Sequence, residues 1–118
     1  MENIGRDFIR WGALLLVVGM LVGLYIAGMQ NFKIGSVHAH FALFGGAVMI
    51  VFGLVYHAGF ARNDAWATVH LWVSVIGAIA FPIAEYFAIT AGQHLAAGIA
   101  SLIVLLSGLL FLFNVVRA

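Results

Sequence analysis

Charged side chains fall at few points along the chain, and between them run long stretches that contain none. Trp11 to Phe32, Ile34 to Ala61 and Ala65 to Ala84 are each free of Asp, Glu, Lys and Arg; beyond Glu85 a fourth stretch runs from Tyr86 to Val116. A helix needs roughly 20 apolar residues to cross the hydrocarbon core of a bilayer. Each of the first three stretches is long enough for one span. The fourth also holds the end of the third helix and the turn Thr90-Ala91-Gly92-Gln93. The pattern predicts helices near 9–29, 37–60, 66–90 and 93–115. Inside lipid the backbone has no water to bond, so spans of this length are helical. The expected fold is all-α, an integral membrane four-helix bundle in which residues 1–118 form one domain.

Composition agrees with lipid as the solvent. Of the 118 residues, 65% are hydrophobic and only 8% charged, against about 25% charged in soluble domains. The formal net charge of +1, with five Lys and Arg, excludes a phosphate-binding stripe and hence nucleic acid as a partner. Without cysteine the chain has no disulfide, iron–sulfur cluster, thiolate-ligated haem or covalent C-x-x-C-H haem attachment. The first apolar stretch is too long for a cleavable signal peptide, and no small-residue cleavage site precedes Gln30-Asn31-Phe32-Lys33. Arg6, Arg10, Arg62 and Arg117 lie on one side of the predicted bundle and only Lys33 on the other, so both termini are expected to be cytoplasmic. A multi-pass protein of a bacterial inner membrane is the expectation. Trp11, Trp66 and Trp72 near one face, with Tyr25 and Tyr86 near the other, suit interfacial belts. Gly12, Gly19 and Gly23 share a face of the first helix; Gly19-Met20-Leu21-Val22-Gly23 is a G-x-x-x-G pattern that allows close helix approach or self-association.

Polar groups inside spans are costly, so each needs a partner or a task. His38 and His40 open the second helix, His94 opens the fourth at the same end, and Glu85 lies near that end of the third. His57 and His70 form a looser layer at the opposite end, near Arg62 and Asp64. Two residues apart on an α-helix means about 200° of rotation, so His38 and His40 leave on nearly opposite faces and serve two sites rather than one. The His38 face continues with Ala42, Gly45 and Met49, and the His40 face with Phe44, Ala47 and Val51. Small residues below each imidazole leave room for a flat macrocycle, and imidazole is a normal axial ligand to haem iron. The alternative is an interfacial imidazole bonded to headgroups, water or a carbonyl, which suits His57 best and His70 similarly; His70 also shares a helix face with Gly77 and Phe81 and is a candidate anchor of a buried network. Glu85 follows Pro82, which should kink the helix, and is a candidate proton relay, metal ligand, partner to His94 or headgroup-facing acid.

The run Val37-His38-Ala39-His40-Phe41-Ala42-Leu43-Phe44-Gly45, continuing through Phe52-Gly53-Leu54-Val55-Tyr56-His57, resembles the haem-ligating helix of heme–copper oxidase subunit I and nitric oxide reductase. The close resemblance covers about twenty residues, whereas the coarser four-span pattern covers the whole chain. In that family a His-x-His near the outer end of one helix holds two haems, one on each side. The family's catalytic subunit has twelve helices in three pseudo-symmetric units of four. The resemblance therefore implies a homotrimer that rebuilds a twelve-helix ring, with His38 of one protomer and His40 of the next on the same b-type haem. Closed cyclic symmetry is the usual outcome of such a heterologous interface. The family's copper site, three His with a cross-linked Tyr, has no counterpart here; the comparable end of the third helix carries Ala84-Glu85-Tyr86. Full oxidase activity is not implied, because bis-His ligation leaves no open position for oxygen or nitric oxide.

Three functions follow from these residues. The first is a b-type haem protein for electron transfer or diatomic gas handling, with His38, His40 and Gly45 at the cofactor and an external electron donor. A variant of it holds the haem within one protomer by His40 and His94. The second is a copper- or zinc-binding protein or transporter using His38, His94 and Glu85. The third is a structural subunit of a respiratory complex.

Overall fold

The computed structural model describes residues 3–118. Its helices are α1 (Ile4–Met29), α2 (Phe32–His57), α3 (Ala65–Ala91) and α4 (His94–Val116), each long and apolar enough to cross a membrane. This is the architecture of a multi-pass membrane protein, with both chain ends at one end of the bundle. Local chemistry sets the limits. Asn3 caps α1 by accepting from the Arg6 amide at 3.0 Å, which starts the helix at Ile4, earlier than the charge pattern implies. Gln30 closes it in the left-handed region at φ 51°. Asp64 caps α3 through the Trp66 amide at 3.0 Å, and Gly92, with φ 69°, ends it. Helix α2 stops at His57 rather than near 60, just before the left-handed Gly59. Helix α3 runs unbroken through the buried Pro82.

Helix α2 is not uniform. It opens with a 3-10 turn at Phe32–Ile34, continues as α-helix over Gly35–His40, widens to a π-helix over Phe41–Val48 and returns to α geometry over Met49–His57. A π-helix bonds i to i+5 and is rare outside short functional or strained segments.

Helices α1 and α2 form one hairpin, α3 and α4 another. The α1/α2 seam is lined with glycine. A Cβ on Gly12 would lie 2.7 Å from the Ile50 side chain and 3.0 Å from the Gly46 carbonyl oxygen; one on Gly19 would lie 2.8 Å from the Ala42 amide nitrogen. Gly5 faces Gly53 in the same manner, so Gly5, Gly12 and Gly19 recur every seven residues along the contact. The G-x-x-x-G pattern of α1 is thus spent inside the chain, against α2. Helix α3 is the most enclosed, with 50% of its most apolar window buried against 22% for α1 and for α4. The α3/α4 pair is pinned by a buried bond between the Ser74 and Ser107 hydroxyls at 2.6 Å.

The larger core lies at the end that carries the termini, where Phe8, Met49, Phe52, Tyr56 and Leu71 pack together. Phe52 of α2 meets Phe111 of α4 at 4.5 Å between ring centres. The opposite end has only a small cluster of Ile26, Ile34 and Val37. The Gly12→Leu variant should lower stability by about 1–3 kcal/mol through overpacking of the seam. Gly28→Leu, where a Cβ meets nothing within 4 Å, should leave the thermal unfolding midpoint in detergent unchanged.

Candidate functional site

His38 and His40 leave α2 toward different neighbours, as their spacing requires. The His38 ring enters the α1/α2 seam, where it lies so close to Gly23 that a Cβ there would be 2.8 Å from the imidazole. Its Nδ1 is 2.6 Å from the Gly19 carbonyl oxygen. A carbonyl only accepts, so Nδ1 carries the proton and Nε2 keeps its lone pair. His40 faces α3. Its Nδ1 lies 2.8 Å from Glu85 Oε1, and its ring meets Phe81 edge-on at 4.7 Å. The carboxylate accepts from Nδ1, and Nε2 is the ring nitrogen left without a partner in the chain. Side-chain exposure is 37% for His40 and 17% for Glu85, so the pair is reached from outside the bundle.

Each imidazole therefore has one nitrogen fixed by a partner and the other free. This is the usual arrangement around a metal-ligating histidine, in which the second nitrogen donates to a carbonyl or carboxylate that sets tautomer and ring orientation. The space beside the two rings differs from the sequence expectation. Below His38, Ala42 packs on Gly19, and Gly45 is buried between Leu15 and Ala78. Helix α1 fills the room expected there. The π segment breaks up the face expected below His40: Phe44 packs on Phe52 at 6.4 Å between ring centres, while Ala47 and Val51 are exposed.

Glu85 takes His40 as its partner, not His94, which is exposed at the start of α4. Among the described residues no three His, Cys, Asp or Glu side chains are placed to hold a metal ion, so His38, His94 and Glu85 do not form one donor set within the chain. His57 is exposed.

His70 anchors a buried network, as its helix face allowed, but with partners the sequence did not reveal. It is 0% exposed, at the end of a polar chain that crosses three helices. Arg117 donates to both carboxylate oxygens of Asp64, at 2.8 and 3.0 Å, and also to the Asn114 side-chain carbonyl. Asn114 donates to the Tyr56 hydroxyl at 2.8 Å, and that hydroxyl donates to His70 Nδ1 at 2.8 Å. The proton of neutral His70 is thereby assigned to Nε2, which is buried without a partner among Phe8, Phe52 and Phe111. Asn114 interrupts the chain as a proton path, since an amide does not readily pass a proton on. The arrangement ties α2, α3 and α4 together. Tyr56 and Asn114 stand 58 residues apart, and no local pattern links them.

Comparison of the chain with family models, curated proteins and solved structures finds no match.

The hydrogen bond from Arg117 is the largest cause holding the Asp64 carboxyl down, from its ordinary 3.8 to about 2. The same bond raises the Arg117 guanidinium. A carboxyl depressed on folding stabilises the fold above its unfolded value and loses that contribution as pH falls through its folded value. Stability should therefore decline from about pH 4 toward about pH 2, and Asp64→Asn should remove this component from the acid-unfolding profile. Tyr56→Phe deletes the hydroxyl between Asn114 and His70. It should cost about 1–2 kcal/mol in thermal unfolding in detergent, the scale of interhelical hydrogen bonds within membranes.

Proposed function

We propose that this chain is a membrane haem protein whose His38 and His40 supply axial nitrogens to b-type haem at the end of the bundle remote from the termini, for one-electron transfer or diatomic gas handling. The observation that carries the reading is the state of the two imidazoles. Each has Nδ1 engaged by an acceptor on a neighbouring helix, Gly19 of α1 or Glu85 of α3, and each keeps Nε2 free. Two imidazoles each oriented through Nδ1, with Nε2 left to bind, fit haem iron. Haem, when bound, supplies the Fe(III)/Fe(II) couple. The chain's own residues hold and orient: Glu85 fixes the His40 ring, the Gly19 carbonyl fixes the His38 ring, and Phe81 walls His40.

The rings face different helices, so one haem between a His38 and a His40 takes them from two copies of the chain. Three copies in a closed ring give each haem the same pair. The resemblance to heme–copper oxidase subunit I supports the number three, and the part-exposed His40 ring supports a cofactor on the outer face. In this reading both termini are cytoplasmic, in a bacterial inner membrane, and an external donor reduces the haem. A copper or zinc role would require donors from more than one chain, because no three-donor group exists among the described residues. The competing structural reading treats the bonds of His38 and His40 as helix clamps alone.

A reduced-minus-oxidised optical spectrum of detergent-purified protein from haem-replete cells separates these readings. Sharp α and Soret bands are expected in the wild type and should vanish in both His38→Ala and His40→Ala. Glu85→Gln should keep the bands, weaken haem retention by about 10–100-fold and raise the midpoint potential, because a negative charge leaves the ligand's partner. A colourless wild type overturns the proposal.

A further inference from the structure

At the end of the bundle that carries the termini, a cavity of about 280 Å³ opens between α1 and α3, lined by Asp7, Arg10, Trp11, Leu71 and Trp72. It shares no residue with the histidine site. Asp7, Arg10 and Trp11 are spaced i, i+3 and i+4, so α1 presents them on one face. The Trp11 and Trp72 rings meet edge-on at 6.3 Å across the opening. Among the described residues, no ion pair joins Asp7 or Arg10 to any partner, including each other. One cavity thus offers one anion and one cation, neither in an ion pair among the described residues, beside two tryptophans. Tryptophan concentrates at the headgroup level of a bilayer.

The order of the charges along α1 identifies the ligand chemistry. Helix α1 enters the membrane from this end, so Asp7 is nearest water, Arg10 is deeper by about 4.5 Å and Trp11 by about 6 Å, at 1.5 Å per residue. A phospholipid with an amino headgroup carries its charges in the complementary order, the ammonium outermost and the phosphate deeper, next to glycerol. Arginine suits phosphate through its forked donors. A carboxylate accepts hydrogen bonds from a primary ammonium, which a quaternary one cannot donate. Anionic lipids without an amine would bring a phosphate and no cation for Asp7. The volume lies below that of most drug-sized sites, roughly 300–1,000 Å³, and suits a headgroup with its acyl chains left in the bilayer along Leu71.

We infer that the Asp7–Arg10–Trp11–Trp72 cavity is a binding site for the zwitterionic phosphoethanolamine headgroup of a membrane lipid. Arg10 takes the phosphate, Asp7 the ammonium, and the two tryptophans flank the glycerol region. The site is independent of haem, and it holds whether or not the proposal for His38 and His40 survives.

The test is native mass spectrometry of the full chain released from detergent with equal amounts of phosphatidylethanolamine, phosphatidylcholine or phosphatidylglycerol of matched acyl chains. Phosphatidylethanolamine should be retained over the other two, and Arg10→Gln should lower its retention by about tenfold, the scale of one charge-assisted hydrogen bond. Asp7→Asn should abolish the preference over phosphatidylcholine while leaving phosphate-dependent binding. Far-ultraviolet circular dichroism should show unchanged helicity in both variants, as expected for substitutions at the rim of the bundle. Water-soluble phosphoethanolamine at the same concentration should not displace the lipid; displacement would assign the site to a free phosphoester and overturn its membrane role. Equal retention of all three lipids, or an unchanged preference in Asp7→Asn, overturns the proposal.

Discussion

The close approach of α1 to α2 is the constraint on which the candidate site depends. In a bilayer the apolar faces of helices gain little by leaving lipid, so association rests on packing and interhelical bonds. Glycine at Gly5, Gly12, Gly19 and Gly23 lets the two backbones come together. That proximity brings the Gly19 carbonyl within reach of His38, whose ring occupies the space where a side chain at Gly23 would be. With His38 committed to α1, the rotation of an α-helix turns His40 toward α3, where Glu85 meets it. The seam therefore sets the direction of both imidazoles, although only one of them touches it.

The two ends of the bundle are built differently. Around Phe8, Phe52, Tyr56 and His70 the helices share a packed aromatic core and a polar chain anchored outside by Asp64 and Arg117. Around His38, His40, Glu85 and His94 little is enclosed, and the polar side chains stand part-buried or exposed. The packing is thus concentrated at one end, and the Nε2 atoms of His38 and His40 lie at the less enclosed one. At the packed end the buried polar side chains are paired, with His70 Nε2 and Arg117 Nε the exceptions among the described residues.

The four helices were legible in the sequence because charge is costly in lipid, so Lys33 falls in the first turn of α2, and Arg62 and Asp64 mark the connection from α2 to α3. Their limits were less legible: Asn3 extends α1 and Gly59 shortens the expected α2, and both act through local backbone geometry rather than hydropathy. The divergence of His38 and His40 followed from spacing alone. The partner of Glu85 did not, since the choice between His40 and His94 depends on which helix stands beside α3 at that height. Gly45 illustrates the same limit. A small residue reads equally as room for a ligand or room for a helix, and here Leu15 and Ala78 fill it. His70 was legible as a candidate anchor of a buried network, but its partners were not, because they are scattered over α2, α4 and the chain end.

The π-helical segment Phe41–Val48 gives α2 a sensitivity that depends on residue count rather than residue identity. A π turn bonds i to i+5 where an α turn bonds i to i+4, so it holds one more residue. Losing a single residue there would let the segment relax to α geometry and rotate everything above it by about 100° relative to Met49–His57. His38 would swing off the Gly19 carbonyl and His40 off Glu85 with neither histidine altered. The segment works as an angular spacer. A deletion anywhere within it and a substitution at the imidazoles themselves would disorient the donors to the same end, while a compensating insertion in the same eight residues would restore them.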